Sequence, residues 1–272
     1  MPGCSDHTAE VGGVQVFWRS APPPAGQTPT LYLHGVPSAS EEWLAFLERG
    51  GGVAVDLPGF GRSAKPASLA YTIAEYDLFI ERFLDQLGLA QVNLVVHDWG
   101  GVGLAFAQRR PERVRRLVIL NCVPFLPGYR WHRTARIWRT PLLGELAMRT
   151  TTRSALRLLS RESNATPGPL PEAWQENVWK HFDEGTRRAI LRLYRSSPPG
   201  VLAAAGAALG ELRMPALVVW GMRDPYIPAR FAGAYAAALP DAELLELADA
   251  GHWPWLDRPD LVARVVDFLS AG

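Results

Sequence analysis

Short apolar runs alternate along most of this chain with segments whose apolar residues recur every three or four positions. Residues 28–35, TPTLYLHG, are an apolar run closed by glycine, and 51–61, GGVAVDLPGFG, a second that ends in a Pro/Gly loop. Each predicts a buried strand. Between 71 and 89, Ile73, Tyr76, Ile80, Phe83, Leu84 and Leu87 keep helical spacing and Gly88 closes the segment, the mark of an amphipathic helix. VNLVVH (92–97) predicts the next strand, GGVGLAFAQRRP (100–111) a helix stopped at Pro111, and VRRLVILNCV (114–123) another strand. The pattern resumes at MPALVVWGMRD (214–224), with a helix near 229–239, the strand AELLELA (242–248) and a last helix PDLVARVVDFLS (259–270). This alternation predicts an α/β fold, a mostly parallel sheet covered by helices on both faces.

The interval from Pro127 to Gly210 breaks the alternation. It reads as helix on both sides of the loop SNATPGPLP. A helical insertion of this size, entered from the C-terminal end of a strand, would lie over the crevice where open α/β sheets bind ligands. The expected division is a core of 1–126 and 211–272 with a helical cap subdomain of 127–210.

Composition narrows the picture further. The formal net charge of +1, without a basic block, argues against nucleic acid as the main partner. The first residues lack a basic stretch followed by an apolar run, and no apolar span is long enough to cross a bilayer. Cys4, expected in a loose tail, and Cys122 make no disulfide framework. These features predict a cytoplasmic protein with no membrane partner.

The stretch LVVHDWGG, starting at Leu94, places Asp98 at the tip of a strand-to-helix turn, followed by Trp99, Gly100 and Gly101. Such a turn exposes a nucleophile and aims the following backbone N–H groups at a reacting oxygen. A carboxylate there attacks an sp³ carbon and forms an alkyl ester; the bland alternative is a helix N-cap. WGMRDPYIP puts Asp224 after a later strand, and DAGHWPWLDRP puts His252 after the last one. Nucleophile, acid and histidine in this order match a catalytic triad in which His252 activates water and Asp224 orients it. HGVP (34–37) adds an early loop whose Val36 N–H would join that of Trp99 in an oxyanion hole. The histidines are not spaced as a metal site, and no cofactor is expected.

Together HGVP, DLPGFGRS, VHDWGG, WGMRD and GHW resemble the aspartate-nucleophile branch of the α/β-hydrolase superfamily, which contains epoxide hydrolases and haloalkane dehalogenases. The resemblance covers roughly 12–126 and 211–270. It implies an α/β-hydrolase fold with a mostly parallel eight-stranded sheet and an inserted helical cap. It also implies a substrate pocket lined by His34, Pro37, Trp99 and Tyr129.

The two chemistries of this branch differ in the leaving atom. An epoxide oxygen needs a proton, which the resemblance assigns to a cap tyrosine. RRAILRLYRSSPP makes that residue Tyr194, with Tyr129, His132 or His181 as a second donor. A halide needs weak donors: Trp99 with a cap tryptophan (Trp131, Trp138, Trp174 or Trp179) or with an asparagine at position 36, where this chain has valine. GHW points to epoxide hydrolases and Val96 to dehalogenases, and Trp99 replaces the arginine of fluoroacetate-type enzymes. His34 and His97 read as structural. The sequence thus predicts an epoxide hydrolase, with a haloalkane dehalogenase as the alternative and a non-enzymatic ligand-binding protein as a minor one. A small apolar epoxide or haloalkane and water are the expected partners.

Overall fold

A computed structural model of the protein describes residues 3–165, 168 and 170–271. Eight strands form one sheet in the order β1-β2-β4-β3-β5-β6-β7-β8. They are β1 (Ser5–Val11), β2 (Val14–Ala21), β3 (Thr30–Leu33), β4 (Gly52–Val55), β5 (Val92–Asp98), β6 (Val114–Cys122), β7 (Ala216–Gly221) and β8 (Ala242–Leu247). β1, β2 and β4 pair antiparallel, and every pairing from β4 to β8 is parallel.

β1 and β2 are absent from the pattern reading. Their charged and polar side chains interrupt any apolar run, and the signal that marks them is the pair Gly12–Gly13. Both glycines take positive φ, 57° and 84°, as the tightest hairpin turns require. Cys4 precedes β1 and packs against the core rather than lying in a loose tail.

The helices of the core are α1 (Leu44–Gly50), α2 (Ile73–Gln86), α3 (Gly103–Arg109), α10 (Arg230–Ala238), α11 (Pro254–Asp257) and α12 (Leu261–Ser270). α2 starts at a capping box: Thr72 accepts from the Glu75 N–H while the Glu75 side chain accepts from that of Thr72. Successive residues of each central strand enter opposite faces of the sheet. Leu94 and Val96 pack with the side chains of α2, α3 and α10, whereas Val95 packs with those of α1 and α12. Burial on both faces explains why these strands read as continuous apolar runs.

After β3 the chain crosses to β4 on one side; after β5 it crosses to β6 on the other. That reversal opens a crevice at the C-terminal ends of β3 and β5. The segment between β6 and β7 is helical: α4 (Arg133–Arg139), α5 (Leu143–Thr150), α6 (Arg153–Leu159), α7 (Glu172–His181), α8 (Glu184–Ser196) and α9 (Pro199–Ala205). It is tied to the core by Lys65 Nζ to Asp183 (2.9 Å), Thr186 Oγ1 to the Gly59 carbonyl (3.1 Å) and the His252 N–H to the Ser163 carbonyl (2.8 Å). No helix among the described residues is long and apolar enough to cross a membrane.

Candidate active site

Asp98 ends β5 with φ 48° and ψ −117°. For a non-glycine residue this is a strained conformation, and it turns the carboxylate out of the sheet. The turn closes because Gly100 has no side chain: a Cβ there would lie 2.1 Å from the Leu33 carbonyl oxygen. The Val36 N–H donates to Asp98 Oδ1 at 2.8 Å. Burial pushes the Asp98 carboxyl above its ordinary value, opposed by His252, His97 and the N–H groups of Val36 and Trp99. One oxygen, Oδ1, thus accepts from the Val36 N–H, and Oδ2 faces His252.

His252 lies on that second side, Nε2 3.8 Å from Asp98 Oδ2, and its Nδ1 is 2.7 Å from Asp224 Oδ2. Burial works against a charged imidazole, but Asp224 and Asp98 beside it raise His252 above its usual value. Burial likewise opposes the Asp224 charge; His252 and the N–H groups of Ile227 and Tyr226 outweigh it and hold the carboxyl low. The arrangement can therefore present an ionised Asp224 to an imidazole that takes up a proton.

Two supports of this site were missed at the sequence level. Asn121, buried in β6, donates to Asp224 Oδ2 at 2.7 Å and accepts from the Gly221 N–H at 2.8 Å. Its signal is a lone amide inside the apolar run VILNCV. Glu42 is the other. It accepts from the Gly35 N–H (3.1 Å) and from Ser38 Oγ, and its Oε1 stands 3.4 Å from His97 Nδ1, with both side chains fully buried. His97 Nε2–H donates to the His252 carbonyl at 2.9 Å. Glu42 and His97 thus join the loop carrying Val36 to the loop carrying His252.

His34 does not face the pocket. Its Nδ1–H donates to the Gly35 carbonyl (2.7 Å) and its Nε2 accepts from the Leu57 N–H (3.0 Å), so both nitrogens are spent on backbone. Pro37 lines a separate cavity of about 170 Å³, together with Glu41, Glu42, Trp174 and His181. The lining of that cavity includes neither Asp98 nor His252. His181 lines that cavity, Trp174 packs on Trp253, and Trp179 packs on Phe182.

The roof over Asp98 is aromatic. The Tyr194 ring meets Trp99 edge-on with centroids 5.0 Å apart, Trp131 stacks on Trp99 at 5.4 Å, and Tyr129 meets Trp131 at 5.0 Å. Trp131 spends its indole N–H on the Ser197 carbonyl (3.1 Å). The indole N–H of Trp99 and the hydroxyl of Tyr129 are buried without a partner. The Tyr194 hydroxyl lies beside the Trp99 N–H but outside the alignment of a full hydrogen bond. Burial, and then the Asp98 charge, raises both phenols well above the ordinary tyrosine value. His132 touches the rim of this cluster, and burial lowers it to about 4, which keeps it neutral.

A strained carboxylate at the switch point, an imidazole and a second carboxylate from the ends of later strands, and amide donors from an early loop define an α/β-type hydrolase. The chain belongs to the α/β-hydrolase fold family, whose sequence profile matches residues 28–259, and carries the aspartate of its aspartate-nucleophile branch. It is 30% identical to a haloalkane dehalogenase of Bradyrhizobium diazoefficiens, over 89% of this chain and 86% of that protein. It is also 30% identical to a cis-3-alkyl-4-alkyloxetan-2-one decarboxylase of Shewanella oneidensis, over 89% and 82%. The crystal structure of haloalkane dehalogenase DbeA from Bradyrhizobium elkani superposes with a TM-score of 0.83 at 26% identity, covering 98% of this chain and 97% of that one.

Proposed function

We propose that the protein is a haloalkane dehalogenase, with 127–210 acting as a cap on a core of 1–126 and 211–272. The observation that carries this reading is the pair of buried, unpartnered neutral donors beside Asp98, Trp99 Nε1 and Tyr129 Oη. Donors without acceptors suit a leaving group that departs as an anion and stays one. Asp98 Oδ2 attacks the carbon bearing the halogen; the C–O bond forms as the C–halogen bond breaks, and the halide takes the electron pair. The halide then accepts hydrogen bonds from Trp99 and from a tyrosine hydroxyl, which stands in for the asparagine that Val36 replaces. His252 next removes a proton from water, and the oxygen adds to the ester carbonyl carbon of Asp98. The N–H groups of Val36 and Trp99 hold the oxyanion. Collapse releases the alcohol and restores the carboxylate, and Asp224 stabilises the imidazolium meanwhile.

Epoxide opening, the first expectation from sequence, uses the same triad and is favoured by two tyrosines converging on the roof. It asks one phenol to give up its proton, and general acids work best with pKa values near the operating pH. Both phenols are raised away from it, which suits hydrogen-bond donation better than proton transfer. The haloalkane dehalogenases among the relatives support the same choice. The test is to incubate the protein with 1-bromobutane and, separately, with styrene oxide, measuring bromide and diol. Bromide release with little diol is expected; diol without bromide would return the assignment to epoxide hydrolysis.

A further inference from the structure

The whole-chain charge of +1 conceals a strong asymmetry. Segment 127–210 carries thirteen Arg and Lys against six Asp and Glu, a net of +7, so the rest of the chain stands at −6. Polarisation of this size between two parts of a molecule points to a charged partner. The positive charge is available. Arg133 and Arg136 on α4, Arg149 on α5 and Arg157 on α6 are exposed, and none of them meets a carboxylate among the described residues.

The same segment carries the exposed apolar surface. Seven large hydrophobic side chains stand exposed among the described residues, and five of them, Leu142, Leu143, Leu146, Leu158 and Val201, lie here. Single exposed leucines need no explanation. Leu142, Leu143 and Leu146 are different, because they share one side of α5 and its entry, with exposures of 83%, 47% and 58%. Arg149 continues that stripe one turn on. Leu142 is held out by backbone strain, with φ 65°, a region that a bulky residue enters only where its surroundings impose it. α5 follows directly from α4, whose Trp138 packs edge-on against Tyr194 at 5.1 Å. The leucine stripe is thus one helix away from the aromatic roof.

We propose that α4–α6 form a membrane-docking face, with Leu142, Leu143 and Leu146 entering the interfacial region of an anionic bilayer and the exposed arginines of the same helices meeting its phosphates. An apolar wedge ringed by cations is the arrangement by which short helices lie on a membrane surface without spanning it. Four exposed arginines without a carboxylate partner among the described residues, carried on three successive helices, suit a diffuse field of phosphates better than a single acidic protein site. The sequence alone predicted no membrane partner, because no apolar span is long enough to cross a bilayer, a test that a helix lying on the surface does not meet. Docking would place the aromatic roof beside the phase in which apolar substrates collect, whichever leaving group Asp98 displaces.

The experiment is flotation of the full chain with vesicles of phosphatidylcholine alone and of phosphatidylcholine with phosphatidylglycerol. Binding is expected to the second kind, weakened by salt, and to be weak or absent with the first. Leu142→Ser/Leu143→Ser/Leu146→Ser is expected to lower the partition coefficient at least tenfold. Arg149→Glu/Arg157→Glu, which leaves the leucines in place, should lower it by about tenfold per reversed charge. Both variants should keep the wild-type melting temperature. Failure of the wild type to float with phosphatidylglycerol vesicles at low salt overturns the proposal. So does binding that the leucine variant leaves unchanged. Sedimentation without lipid covers the other occupant: a dimer of the wild type that the leucine variant splits would make this face a contact between copies and refute docking. No arm depends on turnover, so a failure here is distinct from a failure of the dehalogenase reading.

Discussion

In the proposed reaction Asp98 and His252 take separate steps, so their variants should separate its halves. Asp98→Ala is expected to lose essentially all turnover. In a single turnover in ¹⁸O water, wild-type product should carry unlabelled oxygen drawn from Asp98, and label in the first product would exclude the ester. His252→Gln should still form the ester and then stall, leaving an adduct one alkyl group heavier by mass spectrometry. On the roof, Tyr129→Phe keeps the ring and removes a donor that has no other partner. Loss of one buried donor to a developing anion typically slows reaction by about 10²–10³-fold, and here the loss should fall on bromide release while the melting temperature holds. A charge argument makes the imidazole testable by NMR. The negative charges of Asp224 and Asp98 raise His252, so its protonated form should persist above the usual histidine range. Asp98→Asn removes one of those charges and should lower the titration midpoint. In the proposed step the working base is the neutral imidazole and Asp98 is an uncharged ester, so ester hydrolysis should fail as pH falls through the lower midpoint that Asp98→Asn mimics. The stability contribution runs the other way: a raised His252 stabilises the fold at pH below its unfolded value and loses this as pH rises through the folded one.

At the scale of elements, Glu42 connects loops that come from distant parts of the chain. Its carboxylate takes the Gly35 N–H and the Ser38 hydroxyl, and it faces His97, which holds the His252 carbonyl. Glu42→Ala would leave the Gly35 N–H buried without an acceptor, while Ser38 keeps the Gly35 carbonyl, a loss of about 1–3 kcal/mol. Thermal and urea denaturation should read that loss. Glu42→Gln retains an acceptor and most of the packing but removes the charge opposite His97. It should fold, bind substrate with little change in KM and hydrolyse the ester more slowly, because Val36 and His252 act together in that step. Equal stability and equal kcat in Glu42→Gln would reduce the residue to a packing group.

At the scale of the whole molecule, the sheet supplies a rigid floor and the helical segment a roof tied to it by many hydrogen bonds, among them Arg188 to the Lys65 carbonyl, Arg192 to the Ala67 and Leu69 carbonyls and Ser196 Oγ to the Tyr71 carbonyl. The Lys65–Asp183 pair is partly exposed, and such pairs contribute about 0–1 kcal/mol. The aromatic cluster, in which α4, α8 and the β5 turn meet through Trp138, Tyr194 and Trp99, also seats the roof. The molecule is also polarised, with positive charge on the roof and negative charge on the floor. Its association with any charged surface should therefore depend on salt more steeply than its total charge of +1 implies.

How far the sequence reached differs along the chain. Strands buried on both faces, β3 to β7, were legible because their apolar runs are bounded by glycine and proline. The hairpin β1–β2 was not, because an edge exposed to water tolerates charge and its pairing is settled across the sheet. Asp98, Asp224 and His252 were nameable from local turn chemistry and their order, since each stands at the end of a readable strand. Glu42 and Asn121 were not, because a buried polar residue takes its meaning from partners 55 and 103 positions away. The sequence put Tyr194 ahead of Tyr129 as a donor and left the tryptophans of 127–210 unranked. Only the packing of helices decided that Trp131 spends its N–H on a carbonyl while Trp99 and Tyr129 keep theirs free. Local pattern fixes which elements form, because period and turn residues act within a few positions. The fate of each buried donor and charge belongs to the tertiary structure, because hydrogen bonds and desolvation are set by whatever the fold brings within a few ångströms.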